Sequence, residues 1–227
     1  MKNSRLNARA TSAGAALALM FLAAAAAATS VPVNDLDTWT SLAYRNIPPN
    51  EVSVTDGALH IAVHRSAGPL VHKLPAPTMV KTVTVRARWS GSLTIPDGAA
   101  QGDKNTDDFV LRVGLVEAGD QTLNWFQRKI AADWIVQLYK LAPRGSGVRR
   151  INFLSTTQQE NLVGTSRTHP LSDLLYETRV VYLDGPGEFE LTHTFTEPLE
   201  TLGLWLSSDG DDTGSTFDVV IESITLD

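Results

Sequence analysis

Cysteine is absent from all 227 residues. Its absence excludes disulfides, a lipid-anchored cysteine behind a leader, a thiol nucleophile and a thiolate zinc site. Positive charge is in short supply: 19 Lys and Arg against 25 Asp and Glu give a formal net charge of −6. Nucleic acid and anionic membranes both demand a basic footprint, so neither is expected as a partner, although a local basic groove stays open. Glycine-rich phosphate loops and a G-x-S-x-G elbow are missing too, which removes two familiar catalytic scaffolds. Long apolar runs are lacking with one exception. Residues 13–28 are small, apolar and uncharged, and they follow Lys2, Arg5 and Arg9. With Ala26-Ala27-Ala28 as an A-x-A cleavage site, residues 1–28 read as a secretory signal peptide rather than a membrane anchor. Losing its three charges takes the formal charge to −9 (−6 − 3). A periplasmic or secreted protein is expected, without stable membrane insertion once the leader is cut. Residues 29–227 contain no repeat or linker and read as one domain.

What the chain does have is strand patterning. Val83, Val85, Ala87 and Trp89 alternate with Thr82, Thr84, Arg86 and Arg88, one face apolar and the other polar. Phe109, Leu111, Val113 and Leu115 share a face, which leaves Arg112 on the opposite one. Thr55-Asp56-Gly57 separates two alternating runs and predicts a hairpin. Leu70–Leu74 is a further run, with Pro75 and Pro77 expected to end it. One segment breaks the strand period: Leu123, Phe126, Ile130, Trp134, Leu138 and Leu141 recur at helical spacing up to Pro143, although the apolar density of Trp134–Tyr139 also allows a strand there. Roughly ten short strands around one helix predict an all-β fold, a β-sandwich or jelly roll.

Three groups of residues carry candidate chemistry. Arg86, Arg88 and Arg112 lie on polar strand faces, and Trp205 stands opposite the leucines of Leu202–Ser207. On neighbouring strands the three arginines would form a forked anion site with Trp205 as a sugar-stacking ring. The alternative is that they pair structurally with Asp107, Asp108 or Glu177 while the helix covers Trp205, and Asp108 is the expected partner of Arg86 or Arg112. Asp209, Asp211 and Asp212 form a candidate structural calcium site. The register Asp209, Asp211, Thr213, Gly214 resembles the start of an EF-hand loop, but position twelve is Val220, so that motif fails. An ordinary Asp/Gly turn is the competing reading. Glu177, Glu190 and Asp108 are nominees for a glycosidase pair, for which spacing along the chain is no test.

Several segments in order resemble a bacterial exported family catalogued as domain of unknown function three-zero-four-seven. They are Ser66-Ala-Gly-Pro-Leu-Val-His-Lys-Leu74, Val83–Trp89, Lys104-Asn-Thr-Asp-Asp-Phe-Val-Leu-Arg112, Ile151–Ser155, Val163–Ser166, Tyr176-Glu-Thr-Arg179 and Ser208-Asp-Gly-Asp-Asp-Thr-Gly214. Ala87 and Asp212 depart from the family pattern. The resemblance implies a jelly-roll or concanavalin-like β-sandwich similar to carbohydrate-binding modules, and no activity. The expected function is a non-catalytic binding module for a polysaccharide or another anionic ligand outside the cytoplasm. A lyase or hydrolase on the same scaffold is the first alternative, and a partner-binding envelope protein the second.

Overall fold

The computed structural model describes residues 28–170 and 172–227. The expected leader, residues 1–28, lies outside the described residues except for Ala28. The chain runs through β1 (Thr29–Val31), β2 (Trp39–Ser41), β3 (Glu51–Thr55), β4 (Ala58–His64), β5 (Leu70–Ser92) and β6 (Phe109–Gly119). Two short helices follow, α1 (Trp125–Ile130) and α2 (Asp133–Lys140). Then come β7 (Gly147–Thr157), β8 (Ser166–His169), β9 (Ser172–Tyr182), β10 (Gly187–Asp209) and β11 (Thr216–Leu226).

The strands form one sheet in the order β3-β4-β11-β5-β10-β6-β7-β9-β8, with β1 added to β11 and β2 to β5. All pairs are antiparallel except β7 with β9. The two ends of the sheet do not pair with one another, so it folds over as a sandwich instead of closing into a barrel. The all-β fold is therefore as expected, with a helical insertion between β6 and β7.

Between the folded halves lies the main core, built from alternate residues of the central strands. Val83, Val85, Ala87 and Trp89 of β5, Leu111, Val113 and Leu115 of β6, and Leu204 and Leu206 of β10 all belong to it. The other face of β6, β7 and β10 carries a second cluster, with Val116, Ile151, Phe153 and Trp205, roofed by Leu138 of α2. Asp56 and Gly57 adopt φ of 53° and 79°, as the two-residue hairpin between β3 and β4 requires.

Two expectations need correction. Pro75 and Pro77 do not end a strand: β5 runs through them for 23 residues. Lys73 pairs with Gly203 and Thr78 with Thr201, so residues 74–77 bulge opposite a single residue of β10. In a bulge no ladder hydrogen bond is asked of a proline. Pro198 repeats the device on the partner strand, where Thr194 pairs with Thr82 and Leu199 with Val80. The expected single helix over Leu123–Leu141 is likewise two helices. Ala131 and Ala132 are extended between them, with ψ of 148° and 150°. The apolar spacing runs on across the break, but only α2 turns it to the sheet; α1 buries no residue.

Candidate functional site

Ladder register builds the site. Residues directly opposite in neighbouring strands share a face, and one row crosses the second face as Val71, Trp205, Gly114, Phe153, Glu177 and Arg167. The next row runs Ser207, Arg112, Ser155 and Arg179. Gly114 is required here: a Cβ would come within 2.5 Å of Ile151 Cγ2 and 2.8 Å of Phe153 Cε1. Phe153 therefore lies across β6 and brings its ring beside the Arg112 guanidinium, 5.7 Å from the ring centre.

Arg112 is the hub of the polar row. Its Nη2 donates to Asp209, and its Nη1 stands 3.5 Å from both Asp107 and Glu177. Arg167 Nε donates to Glu177 at 2.8 Å, and Arg179 Nη2 approaches the same oxygen at 3.6 Å. Burial alone would push the Arg112 guanidinium down, but Asp209, Asp107 and Glu177 hold it well above its ordinary value. Arg179 is lowered, by burial first and by its neighbours Arg167 and Arg112 against the pull of Glu177. Asp107 is held below the ordinary carboxylate range: burial opposes this, but Arg112, His169 and Arg167 prevail.

Loops close the rim. Asp108 accepts from Asp212 N–H at 3.2 Å, from Thr213 N–H at 2.6 Å and from the Thr213 hydroxyl at 2.6 Å. Asp107 N–H donates to Asp212 Oδ2 at 3.1 Å, so the two acidic turns are bound to each other. Asn50 donates to Ser208 O at 2.8 Å and accepts from Ser66 Oγ at 2.7 Å, tying the residue before β3 to the end of β10. His169 at the end of β8 lies 3.2 Å from Asp107 Oδ2.

These elements enclose a half-open cavity of about 350 Å³. Tyr44, Trp134, Phe153 and Trp205 form its aromatic side; Arg112, Asp107, Asp209, Asp211, Asp212 and His169 form its polar side. Burial, with Asp108 and Asp209 adding to it, pushes Asp211 up to about 6. The Tyr44 hydroxyl is raised by burial and then by Asp209.

Of the expected site residues, the fold brings Arg112, Trp205, Asp209, Asp211 and Asp212 to this one cavity. Arg86 and Arg88 are elsewhere. Arg86 pairs in register with Glu190, whereas Arg112 pairs with Ser207, 17 positions further along β10 (207 − 190). Their side chains are 67% and 48% exposed, against 11% for Arg112, and they form surface ion pairs with Glu190 and Glu222. A three-arginine anion groove is therefore not built. Trp205 is no open platform either: it is 2% exposed, with Trp134 set edge-on against it at 6.2 Å between ring centres. Arg112 pairs with Asp107 and Glu177, as in the structural alternative, whereas Asp108 holds the opposite turn instead of an arginine.

The calcium expectation meets a different geometry. Both Asp209 oxygens accept from the Ser207 hydroxyl, at 2.8 and 2.7 Å, and one also binds Arg112. A cation at Asp209, Asp211 and Asp212 would have to share Asp209 with that guanidinium. Among the described residues, Asp107, His169 and Glu177 do bring ligand atoms within 4.8 Å of one another. Glu177 is bracketed there by Arg112, Arg167 and Arg179, whose charges repel a metal ion. In both groups a carboxylate is already engaged by arginine.

Glu177, Arg167, Arg179, His169, Tyr44 and Trp134 were not singled out as ligand-binding residues by sequence reasoning. The alternation of Glu177 and Arg179 on one strand face was the available signal; the parallel pairing of β7 with β9 that uses it leaves none.

No family model matches the chain, and no curated protein does. The resemblance to the exported family therefore gains no support of its own. Solved structures that align with it include carbohydrate-binding modules and lectins, and also an enzymatically active bacteriophage tailspike domain and an adhesin domain of Lys-gingipain. A mutant of CBM29-2, a family 29 carbohydrate-binding module, is 9% identical with a TM-score of 0.35, over 89% of this chain and 92% of that one. Lectin I-B4 from Griffonia simplicifolia, in its metal-free form, is 12% identical with a TM-score of 0.38, over 89% and 99%. The exoplasmic/lumenal domain of VIP36 in its Ca2+/Man3GlcNAc-bound form is 11% identical with a TM-score of 0.36, over 88% and 87%. At those scores the sandwich rests on the strand order and the paired cores described above.

Proposed function

We propose that the protein is an exported glycan-binding protein, that the cavity beneath α2 is its site, and that its sugar is neutral or amino-substituted. The observation that carries this reading is the two-sided lining. Sugars offer an apolar face of C–H groups and an edge of hydroxyls; Trp134, Phe153 and Tyr44 suit the first, and Asp107, Asp211 and Asp212 accept from the second. The volume sits at the small end of the ~300–1,000 Å³ of ligand pockets, which suits a terminal sugar better than a long chain. Charge argues against the anionic ligand expected from the sequence. Four carboxylates line the wall, and its single arginine is already held by three acids. Export rests on the basic and Ala-rich start of the chain.

A glycan array probed with the full chain, and with Trp134→Ala and Asp211→Asn, tests the proposal. Binding to neutral or amino glycans should fall about tenfold or more in both variants, the loss of one central contact. Binding confined to uronic or sulfated glycans, or unchanged in both variants, would sink it.

One observation favours a second reading, a glycan-cleaving enzyme: Asp211, pushed up to about 6, shares the cavity with Tyr44 and His169. Release of new reducing ends from a bound glycan, abolished in Asp211→Asn, would select that reading over simple binding.

A further inference from the structure

Away from the cavity, α1 presents a surface of another kind. Trp125, Phe126 and Ile130 are 70%, 63% and 69% exposed, and the helix buries no residue at all. At ~100° per residue the three side chains and Lys129 span about 140° of the helix, with Arg128 at one edge. Lys129 Nζ lies over the Trp125 ring, 4.0 Å from its centre. Arg128 donates through Nε to Leu123 O, and its guanidinium lines a groove that Lys140 and Arg144 share. No carboxylate lines that groove among the described residues.

Charge separates this region from the rest of the molecule. Residues 121–146 carry Arg128, Lys129, Lys140 and Arg144 against Asp133, a net of +3 (4 − 1). The remainder of the chain is then −9 (−6 − 3). Apolar rings beside cations, on an otherwise acidic body, are the composition of an interfacial anchor: the rings enter the headgroup layer while Lys and Arg stems reach anionic lipid.

We propose that α1 docks this protein onto the surface of an anionic lipid bilayer, with Trp125, Phe126 and Ile130 inserted at headgroup depth and Arg128, Lys129, Lys140 and Arg144 against the lipid phosphates. The attachment is peripheral, since no helix among the described residues is long and apolar enough to cross a membrane. It reverses the expectation drawn from net charge, because the relevant quantity is the local balance. The proposal stands apart from the glycan cavity, so either can fail alone.

Co-sedimentation of the full chain with vesicles tests it, using phosphatidylcholine alone and phosphatidylcholine with one-third phosphatidylglycerol. Two variants accompany it: Trp125→Ser with Phe126→Ser and Ile130→Ser, and Arg128→Gln with Lys129→Gln. The proteins share everything outside α1, so differences report on this helix. Far-ultraviolet circular dichroism and melting should match in all three, because no substituted side chain is buried. Binding should favour the anionic vesicles, fall about tenfold or more in each variant, and weaken near ~1 M salt, where the Debye length is about 3 Å. Equal sedimentation of parent and variants overturns the proposal, as does binding indifferent to phosphatidylglycerol. A self-associated species in size-exclusion chromatography that the triple variant loses, without vesicle binding, assigns the face to a second copy and overturns it equally.

Discussion

Arg112 faces acids from a loop, from β9 and from β10: Asp107, Glu177 and Asp209. Replacing it with methionine leaves three crowded carboxylates without their central cation. The expected loss is about 3–5 kcal/mol, the cost of breaking a buried pair from one side. Arg86→Ala and Arg88→Ala, at exposed pairs, should leave the urea midpoint unchanged within error. Parallel urea titrations compare the three. In the sequence these arginines look alike, since alternation reports the face of a strand and not its neighbours. Asp211 gives a pH test. Its folded pKa, about 6, is above the ordinary carboxylate value of 3.8, so the folded state binds its proton more tightly and ionisation opposes folding. The penalty is absent below ~4, grows through the window up to ~6 and is complete above it. Asp211→Asn should therefore stabilise at pH 7.5 by about 1 kcal/mol, less than the full ~1.4 kcal/mol per pKa unit because water still reaches the side chain. Near pH 4 the melting curves of variant and parent should converge.

Among elements, the two acidic turns act as one. Asp108 holds the backbone of Asp212 and both donors of Thr213, so Asp108→Ala should detach the turn before β11 from the start of β6. A loss of about 3 kcal/mol is expected, as for charged hydrogen bonds left unmade in a buried setting. Faster amide exchange at Asp212 and Thr213 would report the detachment; unchanged exchange would argue against it. The two turns were visible in the sequence as landmarks, but their contact was not, because it joins residues more than a hundred positions apart. The hairpin at Asp56-Gly57 and the alternation of β5 were legible because both are local. The prolines of β5 misled for a related reason: a bulge is defined by the partner strand, and β10 is remote in sequence. The helix break at Ala131-Ala132 had no marker, since alanine is the best helix former and only packing decides against it there.

At the scale of the whole molecule, the charge is segregated and the sheet order scrambles the sequence. Net charge predicted no membrane partner, whereas the folded chain concentrates four cations near three exposed apolar side chains. The architecture was legible because a sandwich needs only alternation and turns to be recognised. The cavity was not, because its wall combines β6, β7, β10, α2 and loops that meet only once the strands are ordered. The same ordering constrains how the molecule is made. β5 and β10 pair along most of their length, with Leu70 opposite Leu206, 136 positions later (206 − 70). The centre of the sheet therefore stays unzipped until β10 has been synthesised, and until then β5, apolar on one face and polar on the other, keeps its β10 edge open. Pairing between segments so far apart in sequence is slow to form, and it leaves a strand edge exposed to other chains until it does.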